Sequence, residues 1–169
     1  MSPTRATAFR SIGVIVGRDL VGDALVKLPF LRALRSAYPD SQIHWITSEG
    51  PTAYAGELRQ ATRALIDQVH ECPGWLATHR SPDQGAAAPA PRFDLLIDTR
   101  NRWREAVHAR KLPHTLFLAP ALRFLMSGRR PSWFAARPPH LVDRLLQLVE
   151  LAAGYPPPAQ VAGVLFNAI

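Results

Sequence analysis

At 169 residues the chain has room for one ordinary domain but not for two well-formed α/β domains, and its 47% hydrophobic content argues for a globular protein. Cys72 is the single cysteine, which excludes a disulfide framework and a cysteine-rich metal site and is compatible with a reducing compartment. The net charge of +7 is confined to one segment, because Arg92 to Arg137 holds ten basic residues against three acids while the rest of the chain is balanced. Such an excess suggests an anionic partner, whether phosphorylated lipid, sugar acid or nucleic acid, with a merely solvated basic helix face as the alternative.

The first eleven residues are polar and aperiodic and read as a frayed tail. Ile12 to Gly17 is a short apolar run bounded by glycine, the pattern of a first buried strand. After the turn Gly17-Arg18-Asp19-Leu20-Val21-Gly22-Asp23, residues Leu25, Leu28, Leu31, Leu34 and Tyr38 recur at spacings of three or four and define an amphipathic helix from Ala24 to Tyr38. Pro29 inside it predicts a kink or a late start, and Pro39-Asp40 ends it. Gln42 to Ser48 is rich in β-formers and forms the second strand, followed by Glu49-Gly50-Pro51 and a short helix through Leu58. Another helix or loop covers Arg59 to Arg63, and Ala64 to Cys72 contains a third strand. The breaker-rich tract Ser81 to Pro91 is a surface loop.

Phe93 to Asp98 is the next clear buried strand, with a basic helix from about Arg102 to Arg110 after it and a further strand at Thr115 to Leu118. Ala119 to Pro139 is broken by prolines and glycine and reads as loop with one short helix near Leu122 to Met126. His140 to Ala153 has helical spacing and ends at Gly154, a C-cap glycine with prolines beyond. Strands alternating with helices give an α/β fold, a Rossmann-like parallel sheet flanked by helices with right-handed crossovers. The Rossmann-like domain spans 12–156, and 157–169 reads as the start of a linker or a tail. No signal core or spanning segment is evident, so the expected location is the cytoplasm.

In a parallel sheet of this kind ligands bind beyond the carboxyl ends of the strands, where the first turn places Asp23. The turn lacks G-x-G-x-x-G spacing and a P-loop lysine, so neither dinucleotide nor nucleoside-triphosphate binding is indicated. Asp23 reads either as the N-cap of the first helix or as a carboxylate able to accept a proton, and the two roles are compatible. Asp98, at the end of its strand, suits a turn or cap. Arg100, Arg102 and Arg104 alternate from that strand end into the next helix and suit bidentate binding of carboxylate or phosphate. The six histidines show no metal-ligand spacing, and no G-x-S-x-G elbow is present. A helix-turn-helix or an aromatic-basic sheet motif is also absent, which weakens a nucleic-acid reading.

The run from Gly17 to Arg35, with its Gly22-Asp23 turn and Leu28-Pro29 helix, followed by Tyr38-Pro39-Asp40, resembles the opening of glycosyltransferase family 9, the family of ADP-heptose:lipopolysaccharide heptosyltransferases. Phe93 to Asp98 with its basic helix, and His140-Leu141-Val142-Asp143-Arg144, resemble later blocks of that family in the same order. The resemblance implies the N-terminal half of a GT-B enzyme, inverting and without a metal or cofactor. It further implies an acceptor bound by this domain, a nucleotide sugar such as ADP-heptose bound mainly by a second one, and Asp23 as the general base. Arg18, Gly22, Arg100, Asn101, Arg102 and Arg104 are then the expected acceptor-binding residues. Arg100-Asn101 departs from the Gln-Gly common at that place in the family, and the chain has about half the family's length, so it is expected to be inactive alone. The basic segment would contact phosphates and sugar acids of the lipopolysaccharide core, with peripheral association at the cytoplasmic face of the inner membrane. The competing class is a non-catalytic binding module for an anionic glycan or lipid.

Overall fold

The computed structural model describes residues 9–77, 88–132 and 138–156. Five parallel strands form one sheet: β1 (Ser11–Val16), β2 (Gln42–Thr47), β3 (Gln68–Glu71), β4 (Phe93–Asp98) and β5 (His114–Leu118). Their spatial order is β3-β2-β1-β4-β5, the Rossmann order through its fifth strand. Helices α1 (Val21–Ala37), α2 (Arg59–Thr62), α3 (Trp103–Ala109) and α4 (Leu141–Ala153) connect and cover it, with a short turn of 3-10 type at Ala121–Phe124.

The central strands are apolar on both sides because both faces are covered. Ile12, Val14, Val16, Ile43, Trp45, Leu95 and Ile97 face one core, shared with α1 and α4, which pack on each other. Ile15, Ile46, Phe93, Leu96 and Phe117 belong to a second core closed by Ala106 and Ala109 of α3. Gly13 lies where no side chain fits, since a Cβ there would stand 2.8 Å from Leu96 Cδ1 and 3.0 Å from Phe93 Cδ1.

Several expectations shift. Residues 9–11 are part of the fold rather than a frayed tail, for Phe9 is buried with its ring 5.5 Å from Tyr38, and the Arg10 amide donates to Asp94 Oδ2 at 2.7 Å. Helix α1 begins at Val21 and runs unbroken across Pro29. The carbonyl that Pro29 leaves unpaired belongs to Leu25, an exposed residue whose backbone water can reach, so the helix continues at modest cost. The helix expected through Leu58 is a series of turns, and the strand expected from Ala64 is confined to Gln68–Glu71. The short helix near Leu122 has a left-handed backbone, with φ of 52°, 54° and 64° at Leu122, Arg123 and Phe124. Gly154 caps α4 at φ 79°, as its sequence signature indicates. Most of the Ser81 to Pro91 tract and all of 157–169 lie outside the described residues. No helix among the described residues is long and apolar enough to cross a membrane.

Candidate functional site at the carboxyl edge of the sheet

The chain leaves β1 toward β2 on one side and later returns to build β4 and β5 on the other, so β1 and β4 are neighbours with diverging exits. Ile15 pairs with Asp98 in the register, which sets the 17–20 loop beside the 99–102 loop. Such a divergence opens a crevice at the carboxyl edge of a doubly wound sheet. All seven residues singled out from the sequence stand on these two loops or on the first turns of the helices that follow them.

Three aspartates stand at this edge in different states. Asp19 is fully buried: its Oδ1 holds Lys27 Nζ at 2.6 Å, and its Oδ2 accepts from Trp45 Nε1 at 2.9 Å and from Thr52 Oγ1 at 2.7 Å. Its backbone carbonyl accepts from the Ala53 amide at 3.0 Å, which ties the 17–20 loop to the loop after β2. Tyr54 closes the same cluster, donating to the Ala24 carbonyl at 2.6 Å, and burial pushes its phenol up, with the Asp19 charge adding to the effect.

Asp98 is also fully buried rather than exposed at the edge. Arg100 grips it in a fork, Nε to Oδ1 at 2.8 Å and Nη2 to Oδ2 at 2.9 Å, and the Arg100 amide donates to Oδ1 at 3.0 Å in an Asx-type turn. Burial pushes the Asp98 carboxyl upward while the Arg100 contacts pull against it. Asp98 thus has the turn-forming role its position suggests.

Asp23 is different. Leu20 occupies the N-cap of α1, no side chain caps the helix, and Asp23 lies at the third helical position, exposed and without a side-chain partner among the described residues. It is therefore not the N-cap, because the helix starts three residues earlier than its apolar periodicity indicates. The helix dipole still favours a negative charge in this first turn. Gly22 beside it is exposed, and a Cβ there would meet nothing within 4 Å, so packing does not demand glycine and the space next to Asp23 is open.

The basic residues divide similarly. Arg100 is committed internally to Asp98 and to Glu105, whose Oε2 lies 3.1 Å from Nη1, and only 9% of its side chain is exposed. Arg102 is exposed and reaches Glu105 at 3.0 Å and Glu49 at 3.5 Å. Arg104 lies 5.3 Å from the centroid of the Trp103 ring, a cation–π contact at the surface. Arg18 and Asn101 are exposed. Ser48, Glu49, Cys72, Arg100 and Glu105 border a cleft of about 300 Å³ beside these loops, and Asp23 is not among its lining residues. Among the described residues no cluster of three or more His, Cys, Asp or Glu could hold a metal.

Sequence reasoning passed over Asp19, Lys27, Trp45 and Thr52, which organise the turn that carries Asp23. The signal was the i, i+8 pair of opposite charges, Asp19 and Lys27, in a segment whose helix otherwise buries leucines; the partners on β2 and its following loop are visible only once the sheet is assembled.

No protein-family model and no curated protein matches the chain. Among solved structures, the chain is similar to E. coli heptosyltransferase WaaC with ADP, at 22% identity and a TM-score of 0.62 over 88% of this chain and 48% of that one. The same enzyme with ADP-2-deoxy-2-fluoro heptose matches at 22% identity and a TM-score of 0.61, covering 88% and 50% of the two chains. A glycosyltransferase of family 9 from Veillonella parvula matches at 18% identity and a TM-score of 0.55, covering 88% and 43%. The chain thus spans about half the length of the solved structures it matches. Its Rossmann-like α/β fold is that of the part of these glycosyltransferases which it matches, the fold expected from the resemblance carried by its sequence.

Proposed function

We propose that the chain is the acceptor side of a heptosyltransferase-like, inverting glycosyltransferase in which Asp23 is the general base. The observation that carries this reading is the contrast among the three edge aspartates: Asp19 and Asp98 are buried and saturated by cations and donors, whereas Asp23 is exposed and unpaired beside open space. A base must reach its proton, and of the three only Asp23 can. In the proposed step an acceptor hydroxyl oxygen attacks the anomeric carbon of a nucleotide sugar such as ADP-heptose. The bond from that carbon to the nucleoside diphosphate breaks with inversion, the diphosphate leaves with the bonding electrons, and Asp23 takes the hydroxyl proton. The hydroxyl becomes acidic only as its oxygen bonds to carbon, so an ordinary carboxylate is a sufficient acceptor.

Arg18, Asn101, Arg102 and Arg104 are exposed around this crevice and are proposed to meet the anionic groups of a lipopolysaccharide-core or similar glycan acceptor, while Arg100 acts by holding the 98–102 turn in shape. The nucleotide sugar is proposed to be held mainly by a second Rossmann-like half facing this one, and no metal or cofactor is invoked. The test combines the chain with a donor-side domain, ADP-heptose and a core oligosaccharide. Asp23→Asn is expected to lower the transfer rate by 10²-fold or more, the usual scale of a removed general base, with acceptor binding retained. Transfer unaffected by Asp23→Asn removes the base assignment, and acceptor binding without any transfer favours the binding-module reading.

A further inference from the structure

We propose that Asp19 is a positioning residue for the first turn of α1: it holds Lys27 away from Asp23 and so keeps the Asp23 carboxylate unpaired. Asp23 and Lys27 stand four residues apart on the same helix, with the acid on the N-terminal side. That spacing and order favour an ion pair, since side chains at i and i+4 share one helix face and an acid placed before a base agrees with the helix dipole. The pair is not made. Lys27 Nζ lies 2.6 Å from Asp19 Oδ1 instead, with only 11% of its side chain exposed. Asp23 is left without a side-chain partner among the described residues.

Asp19 outcompetes Asp23 because it is built into the fold. Its Oδ2 accepts from Trp45 Nε1 at 2.9 Å and from Thr52 Oγ1 at 2.7 Å, and its backbone carbonyl accepts from the Ala53 amide at 3.0 Å. β2 and the loop after it therefore fix where Asp19 stands, and a carboxylate fully shielded from water attracts an ammonium more strongly than an exposed one. The two side-chain donors aim at Oδ2, which leaves Oδ1 for Lys27. In Asp19→Asn the amide oxygen takes the place of Oδ2, so the amide NH2 takes the place of Oδ1 and meets the ammonium donor to donor. Lys27 has no other hydrogen-bond acceptor among the described residues, and Asp23 is the carboxylate that its own helix offers one turn back. An ammonium drawn onto Asp23 occupies the oxygens that must take a proton from the acceptor hydroxyl. That catalytic consequence rests on the proposed function, whereas the competition for Lys27 does not.

The test is a set of urea double-mutant cycles on the full chain, with Asp23→Asn introduced into the native, the Asp19→Asn and the Asp19→Asn/Lys27→Met backgrounds. In the native background Asp23→Asn removes only a favourable charge at the helix start and is expected to lower the unfolding midpoint by about 0.5 M or less. In Asp19→Asn the same change also breaks the new pair with Lys27, and the midpoint is expected to fall by at least about 0.5 M more. The extra loss is expected to vanish once Lys27 is methionine. If Asp19→Asn lacks a native baseline, the three backgrounds are compared in concentrated sucrose, which favours the compact state. In the reconstituted transfer reaction Asp19→Asn is expected to lower the rate about tenfold or more. Lys27→Met breaks the same buried pair but removes the ammonium, and is expected to lower the rate several-fold less; a purely structural brace would lower both alike. An Asp23→Asn shift equal in all three backgrounds, or transfer by Lys27→Met as poor as by Asp19→Asn, overturns the proposal. Transfer unaffected by Asp23→Asn removes the base assignment alone, and the cycles then decide the competition for Lys27.

Discussion

Removing the carboxylate of Asp19 by Asp19→Asn strands an ammonium. Lys27 Nζ has Asp19 as its ion-pair partner at 2.6 Å, its side chain is only 11% exposed, and the carboxylate it faces is completely shielded from water. Breaking a buried pair from one side costs about 3–5 kcal/mol, because the charge left behind keeps its desolvation penalty and loses its compensation. The hydrogen bonds from Trp45 and Thr52 can still be accepted by the amide oxygen of asparagine, so the cost is assigned to the ion pair. With a urea slope of roughly 2 kcal/mol/M for a chain of this size, the unfolding midpoint is expected to fall by about 1.5–2.5 M. Urea titration followed by tryptophan fluorescence suits the measurement, since the Trp45 indole lies within the cluster. Asp19→Asn combined with Lys27→Met is expected to recover most of the loss, as it leaves no charge buried. A midpoint shift below about 0.5 M for the single variant, or a double variant no better than the single one, refutes the assignment of this pair as the brace of the first turn.

Gly13→Ala places a Cβ 2.8 Å from Leu96 Cδ1 in the second core and is expected to cost about 1–3 kcal/mol, read as a lower urea midpoint; a neutral outcome would mean that the Leu96 and Phe93 side chains can move aside. Gly22→Ala meets open space on a helix, so stability is expected to be unchanged or to rise by up to about 1 kcal/mol, while affinity for a core-oligosaccharide acceptor falls; equal loss of both contradicts the reading of that space as part of the site. His44 and His70 stack with ring centroids 5.4 Å apart, and burial holds both imidazoles below the ordinary histidine range, His44 further through its neighbour. In the unfolded chain both take up protons near about pH 6.5, so their contribution is complete above that pH and is lost as pH falls through the lower folded values. Urea midpoints measured from about pH 7.5 down to 5 are expected to decline, and His70→Gln is expected to flatten the decline; an identical slope in the variant would assign the pH dependence to other groups.

Sequence pattern was sufficient for β4, whose Phe93 to Asp98 run coincides with the strand, because a doubly covered strand is apolar throughout and bounded by breakers. It was sufficient as well for the C-cap at Gly154, where only local backbone geometry is at issue. It misplaced the start of α1 by three residues, and with it the role of Asp23, because Leu20 at the N-cap and Val21 and Leu25 in the first two turns are exposed, so the start of the helix carries no inward periodicity. The left-handed turn at Leu122 to Phe124 was equally illegible, since none of the three residues favours that conformation locally.

The resemblance in the sequence is matched by the fold, while Asp23 as the base is a proposal. The sequence by itself thus determined the order of strands and helices and the chemical type of residues at their junctions, which depend on local period, breakers and charge. Only the tertiary structure decided which of those charges are available. Asp19 and Asp98 are neighbours of Lys27 and Arg100 in sequence, yet they are withdrawn from chemistry by burial, a property set by how β1, β2 and β4 come together. Asp23, about one helical turn before Lys27 on α1, remains exposed because the helix that bears it turns its first residues outward at the edge of the sheet.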